Sequence, residues 1–91
     1  MSVTVRIPTP LRRITNGQDK IEAEGQNLGE VITFLEGVYP GMKKRLCEES
    51  GELRNFVNIY VDGEDVRFLN GLGTATESGK EISIVPAVAG G

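Results

Sequence analysis

The 91 residues include no histidine, no tryptophan and a single cysteine, Cys47. Without histidine there is no Ser-His or Cys-His pair to activate a nucleophile and no zinc-ligand set, and one cysteine cannot close an internal disulfide. Most routes to autonomous catalysis are thereby excluded, and no metal site is expected. Long apolar runs are missing too. None approaches the roughly 20 residues that cross a bilayer, and Met1 leads into a polar, strand-like segment in place of a signal peptide. A cytoplasmic protein with no membrane partner is expected. Positive charge is scarce: the net charge is −3, and the basic residues cluster only at Arg12-Arg13 and Lys43-Lys44-Arg45. Nucleic acid, which demands a strong positive field, is not an expected partner.

What is present suffices for one domain with one modest core. With 38% hydrophobic and 25% charged residues, the composition is that of an ordinary globular chain. Val3, Val5 and Ile7 alternate with Ser2, Thr4 and Arg6, the period of a half-buried strand, which Pro8 and Pro10 end. After the turn signal Asn16-Gly17, Lys20 to Glu24 alternates through Ile21 and Ala23, so the first two strands should form a hairpin at one edge of a sheet. Asn27 followed by Glu30 reads as a capping box, in which Glu30 reaches back to the Asn27 backbone. The helix it opens carries a stripe of Leu28, Val31, Ile32, Leu35, Val38 and Tyr39 for the sheet to cover. Pro40-Gly41 breaks the helix, and Met42 to Cys47 adds a short second one, with Leu46 or Cys47 tucked beneath it. Cys47 reads as a small buried hydrophobe.

Phe56 to Val61 is the clearest strand. Val57, Ile59 and Val61 form its inner face, which leaves Phe56, Asn58 and Tyr60 on the outer one, and Asp62-Gly63 should return Asp65 to Phe68 alongside. Two aromatics on an outer face are informative, because a solvated face is normally polar. The bland alternative is that Phe56 packs under the loop over 48–54. Gly71, Gly73 and Gly79 punctuate a compact loop, and Glu81 to Val85 alternates through Ile82 and Ile84 as the last strand, closed by Pro86. The class is α+β: a sheet covered by one main helix.

The chain then ends on Pro86-Ala87-Val88-Ala89-Gly90-Gly91. This ending, the acidic turn and strand over Glu77-Ser78-Gly79-Lys80-Glu81-Ile82-Ser83-Ile84-Val85, and the order of elements resemble the ubiquitin-like sulfur-carrier proteins of bacteria, the family of the thiamin-, molybdopterin- and cysteine-pathway carriers. Within it, Phe56 to Val61, Asp65 to Phe68, the ending, and the opening Val3-Thr4-Val5 and Ile7-Pro8-Thr9 look most like the branch that serves cysteine synthesis in actinobacteria. The resemblance implies a β-grasp domain with a mixed sheet over residues 1–86 and a flexible Gly-Gly tail over 87–91. It also implies a protein co-substrate, monomeric when free, that is not itself an enzyme. An E1-like enzyme would use ATP to adenylate Gly91, and a sulfur donor would convert it to a thiocarboxylate. That sulfur would pass to a PLP-dependent cysteine synthase, and a zinc metallopeptidase would release the cysteine. ATP and PLP belong to those partners, and the carrier binds no cofactor. Molybdopterin- or thiamin-pathway carriers and a ubiquitin-like modifier conjugated to lysines remain as alternatives.

Gly90 and Gly91, lacking Cβ atoms, could thread a slot too narrow for other residues, and Pro86 limits the freedom of the tail at its root. Ordering Ala87, Val88, Ala89, Gly90 and Gly91 costs about 5 to 10 kcal/mol. Burying Val88 returns about 1.5 to 3 kcal/mol and each backbone hydrogen bond about 1. The tail therefore contributes almost no net affinity, and a docking surface on the globular part is required. The outer-face residues Phe56, Asn58 and Tyr60, with Phe68 and Leu69, are the candidates.

Overall fold

Val3 and Val5 are buried while Ser2, Thr4 and Arg6 are not, and this alternation runs through β1 (Ser2–Arg6) as the sequence period dictates. The computed structural model describes residues 2–76 and 80–86. After β1 come β2 (Lys20–Glu24), α1 (Leu28–Val38), α2 (Met42–Leu46), β3 (Val57–Val61), the two-residue β4 (Glu64–Asp65) and β5 (Glu81–Pro86). The five strands form one sheet in the order β2-β1-β5-β3-β4. β1 and β5 are parallel neighbours, with Val5 opposite Ile82, and every other pairing is antiparallel. The sheet is therefore mixed, and α1 covers one face, as the β-grasp resemblance implies. Among the described residues no helix is long and apolar enough to cross a membrane.

The core lies between that face and α1. Val3, Val5, Ile21 and Ala23 from the first hairpin, Val57, Ile59 and Val61 from β3, and Ile82 and Ile84 from β5 meet Leu28, Val31, Ile32 and Leu35 of the helix. Val38 departs from the expected stripe: it is 51% exposed. α1 ends there, and α2 packs against it and fills this end of the core with Met42 and Leu46, so no apolar surface remains for Val38 to cover. Leu46 and Cys47 are both buried.

Local polar groups define the joints. Asn27 Oδ1 accepts from the Glu30 N–H at 2.9 Å, the expected cap, but Glu30 Oε1 accepts from the Gln26 N–H at 2.9 Å and not from Asn27. Gln26 and Asn27 pair with Ala75 and Thr76 just before the helix begins at Leu28. At the other end Gly41 adopts φ 101°, a left-handed conformation suited to glycine. The Glu36 carboxylate accepts from the N–H groups of Gly41 (3.1 Å) and Lys43 (2.9 Å), so one helix supplies the cap of the next. The backbone hydrogen bonds from Lys43 and then Gly41 hold the Glu36 carboxyl below its ordinary value of 4.5. Because the folded value is depressed, the stabilisation is present above that ordinary value and is lost as pH falls through the lowered one.

Two strand boundaries differ from expectation. β3 begins at Val57, not Phe56, because the Val57 N–H donates to Arg54 O at 3.0 Å and closes a turn that contains Phe56. The expected return of Asp65 to Phe68 as a strand stops at Asp65. The Asp65 Oδ1 atom accepts from the Arg67 N–H at 2.9 Å and caps a 3-10 turn over Val66–Phe68, with Val66 driven into the core. The turn before it is as expected: Asp62 and Gly63 take φ values of 51° and 86°, the pair of positive values of a type I′ hairpin.

Two glycines have opposite roles. A Cβ on Gly25 would lie 2.7 Å from the Val31 amide nitrogen and 2.9 Å from its Cγ2, whereas one on Gly37, in α1, would meet nothing within 4 Å. Gly25→Ala should therefore destabilise the fold by about 1 to 3 kcal/mol, and Gly37→Ala should stabilise it by about 0.5 to 1 kcal/mol. Urea midpoints of the two variants on either side of the wild type test this packing; midpoints shifted the same way would contradict it.

Candidate functional site

Directly opposed residues of neighbouring strands share a face, so the register of β3 against β5 defines the outer surface of the sheet. Val57 lies opposite Pro86, Asn58 opposite Val85, Ile59 opposite Ile84 and Tyr60 opposite Ser83. Val57, Ile59 and Ile84 are buried under the helix, leaving Asn58, Tyr60, Ser83 and Val85 on the outer face. Asn58 and Tyr60 are half-buried there. Val85, absent from the sequence-based candidates, is 45% exposed beside Asn58. Its outward parity was readable from Ile82 and Ile84, so this omission was avoidable.

Phe56, in the turn that leads into β3, is 53% exposed and so is not enclosed by any loop. Phe68, 87% exposed, ends the 3-10 turn that follows β4, and Leu69, 46% exposed, comes directly after it. Among the described residues, Phe56, Phe68, Leu69 and Val85 thus account for four of the five large exposed hydrophobic side chains, Val38 being the other. All four belong to β3, β5 or the segments adjoining β3 and β4. Exposed apolar side chains gathered in one region of a small chain are the usual mark of a contact surface.

Pro86, the last residue of β5, lies opposite Val57 at this end of the sheet. The other tail candidates, Ala87, Val88, Ala89, Gly90 and Gly91, lie outside the described residues, as do Glu77, Ser78 and Gly79. Five residues span at most about 17 Å when fully extended. A partner that engaged Gly91 would therefore have to come within that reach of Pro86, which borders Val85 and lies opposite Val57.

Arg67 also occupies this region, and sequence reasoning missed it. Its Nη1 donates to Asn58 Oδ1 at 2.8 Å and its Nη2 to the Arg54 carbonyl at 2.7 Å. No local pattern announces these bonds, because they depend on the unexpected turn over Val66–Phe68. Further along the outer face, Arg6 and Glu81 form an exposed ion pair at 3.5 Å across the parallel strands, an interaction of small energetic weight.

Among the described residues no three His, Cys, Asp or Glu side chains group to hold a metal ion. Cys47 borders a hollow lined by Glu36, Lys43, Lys44 and Arg54 at the junction of the two helices. Burial raises its thiol pKa, although Lys43 and Arg54 pull the other way, so the thiolate needed for nucleophilic attack is disfavoured. What the arrangement offers is a surface and a strand end.

The division of faces makes a direct forecast. Phe68→Ala should leave stability within about 0.5 kcal/mol of the wild type, as exposed substitutions usually do. Ile59→Ala, which empties a fully buried site, should cost about 2 to 5 kcal/mol. Chemical denaturation of the two variants decides the matter, and a large loss for Phe68→Ala would show that the exposed surface is part of the core.

Comparison with known proteins agrees with this architecture. A model of the ThiS family matches residues 5–91. The chain is 54% identical over 93 aligned residues to the sulfur carrier protein CysO of Mycobacterium tuberculosis, covering the whole of both chains. It superposes on a chain in the crystal structure of the Amycolatopsis orientalis BexX/CysO complex with a TM-score of 0.92 and 46% identity, covering 98% of this chain and 99% of that one. It is also 41% identical over 64 residues to small archaeal modifier protein 3 of Haloferax volcanii, across 70% of this chain and 68% of that protein. The fold shared with such ubiquitin-like proteins is the β-grasp.

Proposed function

The chain belongs to the ThiS family, and from that premise we propose that it is a sulfur carrier whose Gly91 carboxylate is activated by a partner and converted to a thiocarboxylate. The observation that carries the reading is the sequence Ala87-Val88-Ala89-Gly90-Gly91 after Pro86, where Pro86 ends β5 next to exposed Val85. An α-carboxyl group has a pKa of about 3.3 to 3.7 and is ionised at neutral pH, which makes it a poor electrophile. Transfer of AMP from ATP by an E1-like enzyme, with loss of pyrophosphate, creates a mixed anhydride. Attack by a sulfur donor then expels AMP and leaves sulfur in place of one carboxylate oxygen. The carrier supplies the acyl group and the docking surface, while the enzyme supplies the catalysis. With a buried, unreactive thiol and no histidine, the chain is a co-substrate and not an enzyme in this scheme.

For the acceptor, we favour a PLP-dependent cysteine synthase, a choice supported by the resemblance to the cysteine-pathway carriers and by the full-length similarity to the sulfur carrier protein CysO. The soft anionic sulfur is suited to the electrophilic β-carbon of an aminoacrylate, and its addition there forms the new carbon–sulfur bond. The resulting thioester places an amino group next to the acyl carbon, so acyl transfer from sulfur to nitrogen leaves cysteine amide-linked to Gly91. A metallopeptidase that cuts after Gly91 would free the amino acid and regenerate the carrier. A second reading, conjugation of Gly91 to lysines, draws on the similarity to the archaeal modifier protein.

Charging with ATP, an E1-like enzyme and a sulfur source should raise the intact mass by the difference between one sulfur and one oxygen, localised to the terminal peptide. Deleting Gly91 should abolish the gain without unfolding the chain. Adding a cysteine synthase and an activated serine, without peptidase, should then extend the charged carrier by one cysteine. Lysine-linked conjugates without a thiocarboxylate would favour the modifier reading. Conversion of a pterin precursor with serine derivatives untouched would move the acceptor to the molybdopterin pathway.

A further inference from the structure

Three segments border the outer surface: the turn over residues 54–57 with exposed Phe56, β3 with half-buried Asn58 and Tyr60, and the 3-10 turn over Val66–Phe68 with exposed Phe68 and then Leu69. β4 is over by Asp65, so strand pairing does not fix the third segment. On its inner side it is pinned by Val66, which is fully buried. On its outer side it is pinned by Arg67. The Arg67 backbone N–H donates to Asp65 Oδ1 at 2.9 Å, Nη1 donates to Asn58 Oδ1 at 2.8 Å, and Nη2 donates to the Arg54 carbonyl at 2.7 Å. One planar guanidinium thus joins all three segments.

We infer that Arg67 is a positioning residue for docking of the adenylating enzyme: by tying Asn58 and the Arg54 carbonyl to its own turn, it sets Phe56, Phe68 and Leu69 in one prearranged apolar surface. The inference rests on the carrier reading above. An adenylating enzyme fits this surface because it would have to reach the Gly91 carboxylate within five residues of Pro86, which brings its surface over the adjacent end of β3. Arg67 and its bonds are solvent-exposed, so their net contribution to global stability is small. Their value lies elsewhere: a segment already ordered in the free carrier need not be ordered at the moment of binding. Lysine cannot substitute, because a single ammonium on a flexible stem lacks the rigid fork that reaches two acceptors at once.

The test is the steady-state charging reaction with an E1-like enzyme that charges the wild-type chain, with the carrier as varied substrate. Arg67→Ala should raise the KM for the carrier by about fivefold or more, with kcat and the thermal midpoint little changed. Arg67→Lys should remain defective. Asn58→Ala should raise KM as well, and the double variant should be no worse than Arg67→Ala alone, since both changes break one contact. A normal KM for Arg67→Ala alongside a raised KM for Phe68→Ala would overturn the positioning role while leaving the docking surface intact. Full rescue by lysine, or additive effects in the double variant, would also overturn it, since Arg67 would then act by charge or by touching the enzyme itself. If neither Phe68→Ala nor Arg67→Ala changes KM, the docking surface is misplaced. If no such enzyme charges the wild type, the carrier reading falls and this inference with it.

Discussion

Thr4, Val5 and Arg6 pair in parallel with Glu81, Ile82 and Ser83, joining the first strand to the last in the middle of the sheet. Parallel neighbours cannot be linked by a tight turn, so everything from β2 to β4 is in effect one long crossover between them, and α1 crosses the inner face on the way. This pairing decides where β5 lies and therefore where Pro86 ends it. It also places β3 on the other side of β5, so that Asn58 lies opposite Val85 and the outer surface adjoins the root of the last five residues. The loop-closure entropy of such a contact is repaid by the burial of Val5, Ile82 and Ile59 against α1. Asp62 secures the junction from the turn side: its N–H donates to Glu81 O at 2.8 Å and its Oδ1 accepts from Glu81 N–H at 2.9 Å.

The inner face is spent on a close-packed core, to the point that a methyl group at Gly25 would collide with Val31. The one thiol is buried and its ionisation is suppressed. The polar groups that matter, Glu36 capping α2 and Asn27 capping α1, are occupied with backbone amides. In the proposed carrier reading, reactivity belongs to Gly91 and selectivity to the surface around Asn58 and Val85.

Much of this was legible from residue order. The period of two in Val3, Val5 and Ile7, and again in Val57, Ile59 and Val61, located strands and their buried faces, because an alternating pattern can bury only one side of a sheet. Asn27, Pro40-Gly41 and Asp62-Gly63 marked ends and turns through backbone chemistry that acts within a few residues. The misses share a different character. Whether Asp65 to Phe68 stays in the sheet depends on Val66 finding the core and Asp65 turning back on Arg67, a competition between local capping and strand pairing that alternation does not reveal. Val38 fitted the helical period yet is exposed, because α2 had already supplied Met42 and Leu46. The Arg67 bonds to Asn58 and Arg54 join residues brought together only by the finished fold. Thr74 and Thr76, buried beside the start of α1 with the Thr76 hydroxyl donating to Gly25 O at 2.9 Å, belong to the same class.

The central claim is that the outer face of β3 and β5 near Pro86, and not the helical side, is where an activating partner engages this chain. Amide hydrogen exchange of the full-length protein, compared with and without a saturating E1-like enzyme that charges it, tests that claim most directly. New protection is expected over residues 54–60, 66–70 and 83–86 and onward into the tail, with α1 and α2 unchanged. Protection concentrated on α1 and α2 with the outer face unaffected would contradict the account.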